Sequence, residues 1–251
     1  MHSRIALVTG ATSGIGEAAA KLLAQHSFHL ILCGRRQYRL NALQDQLNKQ
    51  TKVTTLNFDV RRAEEVARAF ASLPEEWREI DVLINNAGNA HGLDPIQQGK
   101  LEDWDAMIDI NVKGLLYVSR VVLPGMTERK RGHIINIGSI AGKEIYANGN
   151  VYCASKAAVD VITQGMRIDL NAYGIKVTAI HPGLVETEFS LVRFKGDADR
   201  ASQVYKGLQP LRGEDIADLI LFALTRPPHV VIADLLVVPT AQASATVVKR
   251  S

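Results

Sequence analysis

Short apolar runs alternate with longer amphipathic segments along nearly the whole chain. The runs have the length of buried strands, and the longer segments carry apolar residues at helical spacing. Strands are predicted at Arg4–Val8, His29–Cys33, Val53–Phe58, Val82–Asn85, His133–Gly138, Lys176–His181 and around Val230–Val238. Helices are predicted at Gly14–His26, Arg39–Asn48, Ala63–Leu73, Leu101–Arg129, from Tyr152 onward and at Glu214–Thr225. Pro124 is expected to end or kink the helix that contains it.

This order of elements predicts an α/β fold. Strands joined by crossover helices form a parallel sheet with helices on both faces, and right-handed crossovers favour a doubly wound sheet. We therefore expect a doubly wound, mostly parallel seven-stranded sheet. The charged segment 185–210 breaks the alternation directly after a strand. Long insertions in compact domains are often lids or binding loops, so this segment is the expected substrate lid.

Composition narrows the class of protein. The chain has 251 residues, 47% of them hydrophobic and 22% charged, which predicts one globular domain over 1–251. A net charge of +3 gives no reason to expect a nucleic-acid partner. Cys33 and Cys153 lie outside any metal-ligand spacing, so no metal is expected. The apolar stretch before Gly10 is too short for a signal peptide and no run reaches membrane length, which predicts a cytoplasmic protein without a membrane partner.

A glycine-rich motif, T-G-A-T-S-G-I-G, spans Thr9 to Gly16 between a predicted strand and a predicted helix. Gly10 permits a tight turn, and Gly14 and Gly16 let the chain approach a pyrophosphate. Free amides at the helix start and the positive end of its dipole suit an anion. A purely structural turn is the alternative, but the strand and helix on either side favour phosphate binding.

The residues after the second strand indicate the cofactor. The run C-G-R-R ends in Arg35 and Arg36 and contains no acidic residue. An acidic side chain here would bind the ribose of NAD, whereas arginine suits the 2′-phosphate of NADP. A solvated basic corner is the alternative; the sequence favours NADP.

Two further strand ends carry polar or small residues. Asp59 and Val60 follow the third strand, where the carboxylate can accept from an adenine amino group and the valine can cover the ring. The run Asn85-Asn86-Ala87-Gly88 follows the fourth strand and allows the backbone to approach a ribose, although such a run is also typical of a turn. Open α/β sheets bind ligands at the carboxyl ends of their strands.

Four residues are candidates for acid/base chemistry. Tyr152 and Lys156 are four apart on a predicted helix and so lie on one face, where the cation would lower the tyrosine pKa. Ser139 ends the fifth strand and can hydrogen-bond a substrate carbonyl, or serve only as a cap. Asn111 lies mid-helix, where asparagine is a poor helix former, and that misfit suggests a water-binding role.

These motifs occur together in the order and spacing of the short-chain dehydrogenase/reductase family, which the chain resembles over nearly its whole length. The resemblance implies a single-domain Rossmann fold, hydride transfer with a nicotinamide cofactor, and a homotetramer. It implies that Tyr152 is the acid/base, Ser139 orients the carbonyl, Lys156 binds the nicotinamide ribose and lowers the tyrosine pKa, and Asn111 holds a relay water. The expected cofactor-binding residues are Gly10, Thr12, Ser13, Gly14, Ile15, Gly16, Arg35, Arg36, Asp59, Val60, Asn86, Ala87, Gly88, Tyr152, Lys156, Pro182, Gly183, Val185 and Thr187.

Segments outside those motifs give a closer resemblance. C-G-R-R-Q-Y-R-L, L-P-G-M-T-E-R and T-E-F-S-L-V-R-F-K-G-D are similar to the NADP-dependent 3-hydroxy acid dehydrogenases. That resemblance implies oxidation of serine, allo-threonine or similar 3-hydroxy acids and reduction of malonic semialdehyde. The expected substrate-binding residues are Ser139, Tyr152 and Arg193, with Arg193 preferred to Lys195 because its fork can bind both carboxylate oxygens.

Two other functions stay open at the level of sequence. A reductase of 3-oxoacyl thioesters or simple ketones would use the same catalytic residues, but it gives no reason for the T-E-F-S-L-V-R-F-K-G-D segment. A non-catalytic NADP-sensing protein is the alternative from another class, and the intact Asn/Ser/Tyr/Lys set argues against it.

Overall fold

A seven-stranded parallel sheet forms the centre of the computed structural model, which describes residues 3–251. The strands are β1 (Ile5–Thr9), β2 (His29–Gly34), β3 (Val53–Asn57), β4 (Ile80–Asn85), β5 (His133–Ile137), β6 (Lys176–Pro182) and β7 (Asp234–Val237). Their order is β3-β2-β1-β4-β5-β6-β7, and every neighbouring pair is parallel. The predicted α/β Rossmann architecture is confirmed.

Nine α-helices connect or flank the strands within the described residues. They are α1 (Gly14–Gln25), α2 (Gln37–Leu47), α3 (Ala63–Ala71), α4 (Leu101–Ile108), α5 (Gly114–Arg129), α6 (Asn150–Leu170), α7 (Phe189–Arg193), α8 (Ala198–Gln203) and α9 (Gly213–Leu224). The predicted lid segment, 185–210, contains α7 and α8.

Two hydrophobic clusters cover the two faces of the sheet. Successive residues of β1 alternate between them, because side chains of a strand point to opposite faces: Ala6 and Val8 join one cluster and Leu7 the other. The first cluster includes residues of α1, α2 and α9, and the second includes residues of α3, α5 and α6. Burial on both faces explains why the strands read as continuous apolar runs.

The predicted single helix from Leu101 to Arg129 is divided by a π-helical turn at Asp109–Lys113. Pro124 does not end the helix, which continues to Arg129. Pro124 lies on the exposed side of α5, where water can hydrate the carbonyl that its missing N–H leaves free. Val122 and Met126 on the opposite side are buried in the core and hold the helix in place.

The last strand is shorter than the prediction of 230–238. β7 spans Asp234–Val237 and pairs with β6 from Ala179↔Asp234 to Pro182↔Val237. It lies at the edge of the sheet, where pairing on one side only limits its length. Among residues 3–251, no helix combines the length and hydrophobicity needed to cross a bilayer.

Candidate active site

The strand order reverses between β1 and β4, and the predicted site residues gather at the carboxyl ends of the strands on either side of that point. The glycine-rich turn lies there, with positive φ angles of 64° at Gly10 and 54° at Gly14. A Cβ atom at Gly16 would collide with the Gly10 carbonyl oxygen and the Asn86 amide. Asn86 Nδ2 donates to the Thr9 oxygen at 2.9 Å. The end of β4 therefore fixes the shape of the turn.

The start of the lid contacts this turn. A Cβ atom at Gly14 would lie 3.0 Å from Cβ of Thr187, so only a glycine admits the lid so close. Pro182 ends β6, and the Gly183 amide donates to the Val237 oxygen at 2.7 Å. Val185 bridges to Leu211. This arrangement places Thr187 at the glycine-rich turn and attaches the residues before it to β7 and Leu211.

Two predicted cofactor residues also serve the core. Ile15 packs against the first hydrophobic cluster, and Val60 belongs to the second. A Cβ atom at Gly114 would lie 2.7 Å from Val60 Cγ2, so Val60 packs on the start of α5. Both side chains fix the strand-to-helix turns that carry the polar residues.

Gly88, Asn111 and Lys156 converge beside the end of β4. A Cβ atom at Gly88 would lie 3.0 Å from Asn111 Oδ1 and 3.3 Å from Lys156 Nζ. Ala87 packs against the second hydrophobic cluster, one residue earlier. Backbone without a side chain at Gly88 leaves space for a ligand group between the amide and the ammonium.

Asn111 lies in the π-helical turn, which accounts for its poor fit to an ordinary helix. Its Oδ1 accepts from the Asn89 amide at 2.8 Å, and its Nδ2 donates to the Asn89 oxygen at 2.8 Å and to Ser155 Oγ at 2.9 Å. The side chain thus joins α6 to the segment after β4. Sequence reasoning missed Asn89 and Ser155, because their pairing depends on the fold.

Tyr152 is 8% exposed, and its hydroxyl is close enough to Ser139 for the serine to affect its pKa. Burial raises the pKa of Tyr152, and the opposing effects of the Ser139 hydrogen bond and the Arg193 charge are smaller. This differs from the expected lowering of that pKa, because a buried phenol loses more solvation on ionising than its neighbours restore. In this state the phenol is a proton donor at neutral pH.

Ser139 serves as a cap, which is one of the two roles considered for it. Its Oγ accepts from the Ala141 amide at 3.1 Å and caps a short 3₁₀ turn at Ile140–Gly142. A Cβ atom at Gly142 would lie 2.6 Å from the Lys156 carbonyl oxygen, so this turn packs directly on α6. The cap therefore fixes Ser139 relative to the helix that carries Tyr152.

Lys156 is 6% exposed, and its Nζ donates to the Ile137 oxygen at 3.0 Å. Burial lowers the pKa of Lys156 to about 8, because the charged ammonium is penalised away from water. The ammonium is thus held at the end of β5, close to Gly88 and one helical turn from Tyr152.

A small pocket opens beside Tyr152 and is lined in part by Arg193. The Arg193 guanidinium carbon lies 5.7 Å from the centre of the Tyr152 ring. Its Nη1 donates to the Tyr146 hydroxyl at 3.0 Å and its Nε to the Gly92 oxygen at 3.1 Å. Lys195 instead pairs with Asp103 at 2.9 Å. Of the two lid cations considered, Arg193 faces the candidate reaction centre.

The pocket contains residues that sequence reasoning missed. His91, Trp104, Met107 and Asn150 line it together with Tyr152 and Arg193. Burial lowers the pKa of His91, which favours the neutral imidazole. These residues come from segments far apart in the chain and carry no motif, so only the fold identifies them.

Arg36 lies at the start of α2 and points toward the glycine-rich turn. Its Nη2 donates to Thr12 Oγ1 and to Ser13 Oγ, both at 3.0 Å. Arg35 is 56% exposed and lies 3.9 Å from Asp59. Arginine donors and two hydroxyls at one strand end are the groups that a phosphate monoester requires. Together with the glycine-rich turn, they fit a dinucleotide that carries an extra phosphate on its adenosine.

Asp59 is held by a residue that sequence reasoning missed. Arg61 Nε donates to both carboxylate oxygens of Asp59, at 3.0 and 2.9 Å. Burial would raise the pKa of Asp59, but the hydrogen bonds from Arg61 outweigh it and the pKa is lowered. The carboxylate is thus ionised and oriented at the end of β3. Contact with an adenine amino group stays a prediction.

One group of potential metal ligands occurs within residues 3–251, formed by Asp160, His181 and Asp234. Lys143 Nζ already donates to Asp160 Oδ2 at 2.9 Å and to Asp234 Oδ2 at 2.7 Å. Since both carboxylates share the ammonium as their cation, the cluster is an internal ion-pair network. It lies behind the Ser139 turn, where a Cβ atom at Gly138 would collide with the His181 ring.

Comparison with known proteins places these features in a family. The model of the family described as short chain dehydrogenase matches residues 4–197. The NADP-dependent 3-hydroxy acid dehydrogenase YdfG of Salmonella typhi is 49% identical over 96% of this chain and 97% of the relative. The sulfoacetaldehyde reductase 2 of Chromohalobacter salexigens is 45% identical over 96% of each. The closed form of serine dehydrogenase complexed with NADP+ superposes with a TM-score of 0.93 at 46% identity, covering 98% of this chain and 100% of that structure.

Proposed function

We propose a specific activity for this chain, which belongs to the short-chain dehydrogenase family and is an NADP-dependent oxidoreductase. The proposed reaction interconverts a small 3-hydroxy acid, of the serine, allo-threonine or 3-hydroxypropionate type, and its 3-oxo product. One observation carries this proposal: Arg193 of the lid lies over the ring of Tyr152, so an anion-binding group adjoins the proton donor.

The bound cofactor supplies or accepts the hydride in this reaction. Tyr152 donates its phenolic proton to the substrate oxygen during reduction and recovers it during oxidation. Ser139 adjoins Tyr152 and would orient the carbonyl oxygen between the two hydroxyls. Lys156 and Asn111 adjoin the space above Gly88, where they would hold the cofactor ribose and a water molecule.

Substrate charge distinguishes this proposal from a general alcohol dehydrogenase. A carboxylate that enters a closed pocket must be matched, because an unpaired buried charge is costly. Two relatives are named a 3-hydroxy acid dehydrogenase and a sulfoacetaldehyde reductase. The substrates in these names share one feature: a single carbon separates the reacting carbon from the carboxyl carbon or from the sulfur. Arg193 lines the pocket beside Tyr152, and its guanidinium suits such an acid.

The other candidate functions have less support. A thioester has no free carboxylate to pair with the arginine on the wall of the pocket beside Tyr152. A sensor without activity has no need of Tyr152 and Ser139 side by side at the end of β5. Both alternatives predict little NADP+ reduction with 3-hydroxy acids.

A spectrophotometric screen tests the proposal. The purified enzyme is assayed for NADP+ reduction with serine, 3-hydroxypropionate, 2-hydroxyethanesulfonate, a 3-hydroxyacyl thioester and propanol. We expect the small acids to give the highest kcat/KM, and propanol of similar size to be used at least tenfold less well. Preference for the thioester or for propanol would overturn the assignment of the substrate class.

We also propose that the protein is a cytoplasmic homo-oligomer, with a tetramer as the expected size. Apolar side chains on α5 and α6 support assembly: Leu116 is 40%, Val161 67% and Ile168 77% exposed. Light scattering should give about four times the 27.4 kDa mass of one chain. A mass of one chain at micromolar concentration would contradict this expectation.

A further inference from the structure

Glu188 forms an ion-pair bridge between the lid and α2. The residue directly precedes α7, and its carboxylate accepts from Arg39 Nη1 at 2.6 Å and from Arg36 Nη1 at 2.9 Å. Burial would raise the pKa of Glu188, but the hydrogen bonds from Arg39 and Arg36 outweigh it and the pKa is lowered. The carboxylate is therefore ionised, and its negative charge is shared between two arginines.

One of these arginines, Arg36, belongs to the corner that fits an adenosine phosphate, and Arg39 reaches the same corner with Nη1 3.4 Å from the Thr12 oxygen. Arg36 uses Nη1 for Glu188 and Nη2 for Thr12 and Ser13, so one guanidinium serves both the lid and the glycine-rich turn. Arg39 lies one helical turn after Arg36 on α2 and also contacts Glu188. The Glu188 carboxylate therefore already occupies arginine N–H groups that an incoming phosphate would need as hydrogen-bond donors.

Electrostatics determines the direction of the effect. A phosphate dianion and a carboxylate repel each other when they share cationic neighbours, and an arginine fork occupied by one anion is less available to the other. The repulsion is moderate because the side chains of Arg36 and Glu188 are 36% and 40% exposed, and solvent screens it.

We propose that Glu188 is a specificity-determining residue that competes with the 2′-phosphate of NADP for Arg36 and Arg39. The carboxylate thereby limits the preference for NADP over NAD. This inference rests on the use of NADP by the enzyme, and it concerns a residue that no sequence motif assigned to the cofactor.

The lid connects this competition to the substrate pocket. Glu188 stands at one end of α7 and Arg193 at the other, five residues on, with Thr187 against Gly14. Displacement of Glu188 by the phosphate loosens the start of α7 without touching the contacts of Arg193 with Gly92 and Tyr146. The phosphate and the substrate anion therefore act on opposite ends of one short helix.

The test measures cofactor affinity rather than turnover. Glu188→Gln removes the charge and keeps the shape, and calorimetric titration gives Kd for NADP+ and NAD+. We expect Kd for NADP+ to fall about twofold to tenfold, the range for two exposed ion pairs released, with Kd for NAD+ unchanged. Circular dichroism confirms that the variant is folded, and the gain should shrink at high salt.

Glu186→Gln is the matched control. Glu186 lies two residues earlier in the same segment, is exposed, and forms no ion pair within the described residues. The Glu186→Gln variant has the same change in net charge as Glu188→Gln. An equal gain in NADP+ affinity in both variants would show that overall charge causes the effect, and it would overturn the proposal.

Three results distinguish the possible failures. Weaker or unchanged NADP+ binding by Glu188→Gln overturns the competition and shows that Glu188 only orders the arginines. Equal changes for NAD+ and NADP+ also overturn it, because NAD+ lacks the phosphate. Failure of the wild-type protein to bind NADP+ contradicts the proposed function itself, whatever the variant does.

Discussion

At the scale of single residues, environment rather than identity determines the chemistry of Tyr152. The tyrosine and Lys156 share one face of α6, yet burial raises the pKa of the phenol while Lys156 donates to the Ile137 carbonyl. The buried phenol keeps its proton and is suited to give it to a carbonyl oxygen. Ser139 and Arg193 supply the contacts that favour the ionised form.

Tyr152→Phe tests the role in proton transfer. The variant keeps the buried ring and removes only the hydroxyl, so NADP+ affinity should stay within about twofold of wild type. The turnover number should fall roughly a hundredfold to ten-thousandfold, the range for loss of a positioned acid or base. The initial rate of change in NADPH absorbance at saturating substrate measures turnover. Normal turnover by the variant would contradict the role of Tyr152.

Arg193 and Lys195 form a matched pair of lid cations, of which only Arg193 is placed in the pocket wall. Arg193→Ala should raise KM for a 3-hydroxy acid at least tenfold and change KM for propanol little, because only the acid carries the anion. Lys195→Ala, which breaks the pair with Asp103, should leave both KM values near wild type. Equal effects of Arg193→Ala on charged and uncharged substrates would exclude it as the carboxylate ligand.

At the scale of elements, the turn after β5 is fastened to α6 and β7 by Lys143. Its ammonium bridges Asp160 of α6 and Asp234 of β7, and His181 of β6 lies 3.2 Å from Asp234 Oδ2. Burial lowers the pKa of His181, so the imidazole does not replace the lysine charge at neutral pH. The network therefore depends on Lys143 for its positive charge.

Lys143→Ala should destabilise the protein by roughly 1–3 kcal/mol, because two adjacent carboxylates lose their shared cation in a partly buried site. Lys113→Ala is the control: Lys113 pairs with Asp109 on one helix face and is 52% exposed. Its loss should have a much smaller effect, because solvent screens an exposed ion pair. Urea denaturation monitored by fluorescence measures both, and equal losses would contradict the importance of the network.

At the scale of the whole molecule, the strand order brings distant segments to one edge of the sheet. Parallel strands share a direction, so the segments that follow them meet at the same edge. These segments are the glycine-rich turn after β1, the arginines after β2, the small residues after β4 and Ser139 after β5. Core packing on both faces holds this edge in place, and buried polar groups within the core make its stability depend on pH.

His133 gives a specific pH dependence. The ring is 7% exposed with Nε2 2.9 Å from Thr178 Oγ1, and burial lowers the pKa of His133 to about 3. The unfolded chain takes up a proton below about pH 6.5 and the folded chain does not. Stability is therefore full above pH 6.5 and falls as the pH drops from there toward 3, by roughly 2 kcal/mol at pH 5 from this group.

His133→Gln tests that dependence, since glutamine can keep a hydrogen bond to Thr178 without titrating. The variant should lose less stability between pH 7 and pH 5 than wild type, measured by urea denaturation at each pH. His229→Gln, at an exposed position, should leave the wild-type slope unchanged. A slope that is the same in all three proteins would assign the acid sensitivity elsewhere.

The sequence by itself determined the alternation of strands and helices and the residues of the main motifs. Apolar runs and helical spacing are local, and the glycine-rich turn and the Tyr152–Lys156 pair are read from residues near one another in the chain. The predicted strands and the fold class were confirmed for that reason. The last strand was predicted to be longer than it is, because an edge strand has a weaker sequence signal than a buried one.

Only the tertiary structure decided the interactions between distant segments. These interactions join residues that lie from 22 to 152 positions apart in the chain. They are the contacts of Glu188 with Arg36 and Arg39, of Asn111 with Asn89, and of Arg193 with Tyr152. The direction of the Tyr152 pKa shift also needed the structure, because burial is a property of packing and not of spacing. Contacts across the fold and the solvation of each group follow from where the whole chain places them.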